Sequence, residues 1–194
     1  MLVFVQNFLA ALLALGLFAL PPMAKAAQDD PRLDALFVQL KAETDLERAQ
    51  AIEDDIWTLW IESGDAGTNR LFNRGRDALI RGDMEIALAI GTEVTGRAPD
   101  FAEGWYMCST ILYQMGNIDY ALRYAEKAVL LEPRHFPALM GIGVIHLQQG
   151  EEEEALIAFR RALEVDPHLV QAREIIDEIT AHIENKDREP TASD

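Results

Sequence analysis

Cysteine is nearly missing from this chain of 194 residues: Cys108 stands alone. One thiol cannot close a disulfide within the chain, and it joins none of the four histidines in a zinc-binding spacing. Set in a helical pattern, it reads as a small buried hydrophobe. Positive charge is also scarce, with 17 Lys and Arg against 33 Asp and Glu, a net charge of −16. Such a field repels phosphate backbones and anionic headgroups, so a nucleic-acid role is not expected, while basic or neutral partners stay open. No glycine-rich loop follows a strand pattern to cradle phosphate, and no serine sits in a nucleophile elbow. His135, His146, His168 and His182 form no i, i+4 pair. The run Glu151 to Glu154 opens a helical segment, where carboxylates suit the dipole but spread around the helix too far to hold one cation. Neither a metal, a cofactor nor a catalytic centre is expected.

Long apolar runs are confined to the start. Phe8 to Leu20 is uncharged and ends at Pro21-Pro22, and Ala24-Lys25-Ala26 then places small residues where a signal peptidase reads. Residues 1–26 are therefore read as a signal peptide, cleaved after Ala26 or one residue later. Because no Lys or Arg precedes Lys25, the alternative is an uncleaved anchor over residues 1–20. Cleavage would remove one cation from the net −16 and leave −17. The expected location is periplasmic or secreted, or the inner membrane if the anchor stays.

What the chain has in abundance is repetition. YQMGNIDYALRYAEKAVLLEP, residues 113–133, returns as LQQGEEEEALIAFRRALEVDP, residues 147–167, and more faintly precedes itself as LIRGDMEIALAIGTEVTGRAP, residues 79–99. At this period of 34, Gly82, Gly116 and Gly150 coincide, as do Ala87, Ala121 and Ala155, and Pro99, Pro133 and Pro167. Leu71, Trp105 and Leu139 share a place, with Gly75, Ser109 and Gly143 one turn later. Each glycine ends a first helix, each alanine lets two backbones approach, and each proline stops the second helix. Asp83 and Asn117 read as helix starters, and Glu151 as a partner of the helix dipole. Helix pairs of this kind cannot bury their apolar faces alone and must stack.

Period, order and residue types resemble the tetratricopeptide repeat, in units 68–101, 102–135 and 136–169. The first unit departs from the pattern at Arg74, Gly91 and Val94. The resemblance implies an all-α, right-handed superhelical solenoid. Residues 27–67 read as a front helical hairpin or a degenerate repeat, with Trp57 to Trp60 packed on the first unit and a hinge at Gly64 and Gly67. Residues 170–186 form a capping helix striped with Ile175, Ile176, Ile179 and Ile183, and residues 187–194 a disordered tail. The whole chain is similar to exported bacterial proteins that join such a hairpin to three repeats.

In this family the first helices line a concave groove that takes peptides or partner helices. Its positions fall here on Phe72, Asn73, Arg76 and Leu79, then Glu103, Tyr106, Met107, Thr110 and Tyr113, then Pro137, Met140, Gly141, Val144 and Leu147. One subtype grips a peptide carboxylate with Lys, Asn and Arg, but the matching places hold Phe72, Arg76, Met107, Pro137 and Gly141. The resemblance thus implies a non-catalytic adaptor with an apolar groove for a protein or peptide partner, Arg76 being its clear cation. An assembly subunit of an envelope complex is the alternative, and the front hairpin could itself occupy the groove.

Overall fold

The computed structural model describes residues 27–188, and every structural statement refers to these; the expected signal peptide or anchor lies outside them. After a short 3-10 turn at Ala27–Asp29 come helices α1 (Arg32–Ala42), α2 (Leu46–Trp60), α3 (Ala66–Arg81) and α4 (Met84–Arg97). Then follow α5 (Ala102–Gln114), α6 (Ile118–Leu131), α7 (Phe136–Gln149), α8 (Glu152–Val165) and α9 (Val170–Arg188). The described residues contain no strand.

The three repeats turn the same way for the same reason. Gly82, Gly116 and Gly150 have φ of 80°, 77° and 78°, the left-handed region that costs glycine least. In each corner, the glycine N–H donates to the carbonyl of Leu79, Tyr113 or Leu147. The next N–H, from Asp83, Asn117 or Glu151, donates to Ala78, Leu112 or His146 at 2.9 Å. This pair of bonds satisfies carbonyls that the ending helix leaves open. Asp83 and Asn117 do not cap the next helix with their side chains, contrary to the sequence expectation, and neither does Glu151. Asp83 accepts from Arg81 and Glu151 pairs with His146 instead.

Within a pair, small residues set the spacing. The Ser109 hydroxyl donates to the Ala121 carbonyl at 2.8 Å, and a Cβ on Gly143 would lie 2.7 Å from the Phe159 ring. Gly91, where the first unit departs from the pattern, leaves its space to Cys108, whose Sγ would sit 2.5 Å from an added Cβ. The letters differ because each unit fills the same gap from a different side. One core runs through α3, α4 and α5, a second through α5 to α8, and a third seals α7 and α8 beneath Ile175, Ile176, Ile179 and Ile183 of α9. That last helix reaches Arg188, two residues beyond the expected end.

The front hairpin departs from expectation. Leu33, Phe37, Leu40, Ile56 and Trp60 bury against Phe136, Val165 and Leu169, at the corners that open the third unit and follow it. The Trp60 ring stacks on His135 at 4.7 Å and 3°, so the tryptophan strip packs where the second unit meets the third rather than on the first. Arg134 adds an ion pair to Asp34 at 2.6 Å and lies 4.6 Å from the Phe37 ring, and His168 meets the Leu40 carbonyl. Gly64 does mark the bend, at φ 79°, whereas Gly67 belongs to the first turn of α3, capped by Asp65.

Candidate partner-binding groove

The first helices α3, α5 and α7 carry the positions expected to face a partner. Two of the apolar ones turn inward. Phe72 is 1% exposed and meets Phe101 edge to face at 5.2 Å, and Met107 is 4% exposed with its methyl against Gly75. Both belong to the first core and leave the groove list; on a helical stripe an apolar residue beside the seam cannot be told from one on it. Arg76 is half-buried, its guanidinium 6.0 Å from the Phe72 ring. Met140 is half-buried between the second and third cores.

Further along α5 and α7 an opening remains. Tyr106, Ser109, Thr110, Tyr113, Gly141, Val144 and Ile145 line a cleft of 130 Å³. Gly141 has nothing within 4 Å of where a Cβ would stand, so the absent side chain is what keeps the cleft floor low. Leu147, 37% exposed, lies on α7 one turn beyond Val144. The structure therefore brings Tyr106, Tyr113 and Val144 together and separates them from Phe72 and Arg76.

The opposite end is closed by the hairpin. Glu103, a groove position by sequence, is 2% exposed and its Oε1 is 2.7 Å from His135 Nε2. The Ala138 N–H donates to His135 Nδ1 at 3.1 Å, so that nitrogen is bare and Nε2 carries the proton given to Glu103. Trp60 roofs the ring, and the Tyr106 ring meets it tilted by 55° at 4.8 Å. Burial, then the Glu103 charge, push the Tyr106 phenol up to about 12, so it stays a neutral donor at any physiological pH. This buried carboxylate–imidazole–indole stack was not foreseen. A histidine directly after the Pro133-Arg134 corner was its only trace in the sequence.

Chemically, the site offers aromatic faces, hydroxyls and an apolar floor. Thr110 and Ser109 already donate to backbone carbonyls. Cys108 is fully buried and burial pushes its thiol up to about 12, which leaves it a packing residue and not a nucleophile. Among the described residues, no group of three or more His, Cys, Asp or Glu could hold a metal ion, and no helix is long and apolar enough to cross a membrane.

Comparison with known proteins places this geometry. The tetratricopeptide repeat model matches residues 107–169, the part where the repeat is strongest. A TPR repeat-containing protein of Rhizobium etli is 35% identical over 136 residues, covering 70% of this chain and 67% of the relative. The small glutamine-rich tetratricopeptide repeat-containing protein 2 of Saccharomyces cerevisiae is 27% identical over 48% of this chain and 27% of its own length. Among solved structures, the Sgt2 TPR domain from Aspergillus fumigatus superposes with a TM-score of 0.60 at 19% identity, over 67% of this chain and 89% of that one. MamA does so with 0.59 at 16% identity, over 75% and 88%. The first TPR of Spaghetti (RPAP3), bound to the HSP90 peptide SRMEEVD, gives 0.58 at 18%, over 60% and 92%. Repeated glycine corners, nested helix pairs and a relative of more than a third identity agree: the chain belongs to the tetratricopeptide repeat family.

Proposed function

We propose that this protein is an exported, non-catalytic adaptor that holds a short, mainly apolar and uncharged segment of a partner protein on α5 and α7. The observation that carries the reading is the open cleft between Tyr106, Tyr113 and Val144, beside a stretch of the same groove already sealed by Trp60. A segment entering there buries apolar atoms against a rigid scaffold and meets no cation, the nearest groove cation being Arg76 on α3. Peptides ending in acidic residues, like the one in the Spaghetti neighbour, find a single matching charge, Arg76, among Phe72, Arg76, Met107, Pro137 and Gly141. Export rests on the apolar leader and the Ala24-Lys25-Ala26 site. Sequencing the amino terminus of the protein recovered from cells tests it, the expected first residue being Ala27 or Gln28.

A photo-crosslinking residue at position 110 tests the groove, with a second at Glu178 on the exposed face of α9 as control. Position 110 should capture a defined partner from envelope extract that position 178 does not. Equal capture at both would show that the concave side is not where the partner lies. A second reading, a permanently assembled envelope subunit, is favoured by large apolar residues on the outside, Ile80 at 78% and Leu130 at 73% exposed. Sedimentation of the isolated protein separates the two, since an adaptor is monomeric and an orphaned subunit associates.

A further inference from the structure

The outer surface carries a second feature, found by comparing one repeat with the next. In the second unit Trp105 lies over the seam between α4 and α6. Its Nε1–H donates to the Pro99 carbonyl at 3.0 Å, its ring meets Tyr124 at 5.2 Å, and Lys127 Nζ lies 5.9 Å from it. Thirty-four residues on, Trp105 becomes Leu139 and Tyr124 becomes Ala158, while Pro99 remains proline as Pro133 and Lys127 remains a cation as Arg161. Leu139 is fully buried and Ala158 nearly so, and neither fills the seam. What is left between α6 and α8 is a cleft of 480 Å³. Its lining includes Pro133, Ala158 and Arg161, the counterparts of the three groups that hold Trp105, with Val129, Ile142 and Ile157 supplying apolar walls. Arg161 makes no ion pair among the described residues and the Pro133 carbonyl accepts no hydrogen bond there, so both are available to an incoming ring.

We infer that this outer cleft is a docking site for a tryptophan side chain presented by a partner polypeptide, in the place Trp105 takes one unit earlier. The indole would rest on Ile142 and Ala158, donate its N–H to the Pro133 carbonyl and lie beneath the Arg161 guanidinium. Apolar contact alone would accept any greasy side chain. The carbonyl acceptor and the overlying cation favour an indole, because an aromatic ring offers a face to the cation and indole, the best cation–π ring, also carries a ring N–H donor at that edge.

The test is a methyl NMR titration of the purified protein with N-acetyl-tryptophanamide, and in parallel with N-acetyl-leucinamide. The three native tryptophans make fluorescence a poor readout. Saturable shifts are expected at the Ile142 and Ile157 methyls, about tenfold weaker with the leucine amide, the worth of one cation–π contact and one hydrogen bond. Leu139→Trp restores the second unit's own filling and should abolish the shifts. Arg161→Ala, an exposed change that leaves the core intact, should weaken them several-fold. Equal response to both amides, shifts elsewhere than these methyls, or undiminished binding by both variants overturns the proposal. So does movement of the same methyls on raising protein concentration alone, which would assign the cleft to a second copy of this chain.

Discussion

At the scale of single residues, the carboxyl of Glu53 on α2 shows how docking and protonation are joined. Burial, then the nearby Asp166 charge, raise its pKa from 4.5 to about 7, and burial raises Asp166 as well. Asp166 is fully buried; its Oδ1 accepts from the His168 N–H, and the protonated Glu53 carboxyl is its side-chain hydrogen-bond partner. Asp54 adds a like charge, while His168 and Arg173 oppose it. A raised acid binds its proton more tightly folded than unfolded, so stability falls as pH climbs between about 4.5 and about 7 and levels off above. Glu53→Gln, neutral throughout, should flatten thermal melting across that window and melt higher than the parent at pH 8. Equal slopes for the two proteins would refute the coupling. Glu43 works in the opposite sense: backbone N–H groups of Asp45 and Thr44 and then Arg48 lower it to about 2, so its contribution disappears as pH drops from 4.5 toward 2. The Gly91 contact gives another residue-scale test. Gly91→Ala puts a Cβ into the Cys108 sulfur and should cost about 1–3 kcal/mol in urea unfolding, with much of the loss recovered in the Gly91→Ala, Cys108→Ala double variant. Gly91 had looked like a defect in the repeat, because one sequence cannot show that the missing bulk comes from a neighbouring helix.

At the scale of elements, corners and helices were the legible part. A glycine, an alanine and a proline at fixed intervals demand the same turn three times, and the turn's two hydrogen bonds recur atom for atom at Gly82, Gly116 and Gly150. The capping stripe on α9 was equally plain. The seat of α1 and α2 was not, because an apolar stripe announces that it must be covered and does not say by what. The site suffered from the same ambiguity: Tyr106, Tyr113 and Val144 do border a cleft, while Phe72 and Met107, spaced just as well, are core. Removing the hairpin's anchor separates these roles. Trp60→Ala should cost about 3–5 kcal/mol, seen as a lower urea midpoint. It should also admit a longer partner segment, since Glu103 and His135 lose their roof. An unchanged midpoint would show that the stack on His135 contributes nothing to docking.

At the scale of the whole molecule, the acidic excess shapes encounters more than structure. A net charge of −16 keeps copies apart and draws basic partners at low salt. Capture rates for a basic partner should fall as ionic strength rises, while dissociation rates change little. Salt-independent association would remove charge from the account of recognition.

A pile of equal units, each touching only the next, ordinarily melts from its free ends like a stack of coins sliding off one by one. Here α1 and α2 reach past two repeats and fasten themselves at the far corners, through Arg134, His135 and His168. A chain buckled in that manner has one loose end instead of two, and its early and late segments must let go in the same event.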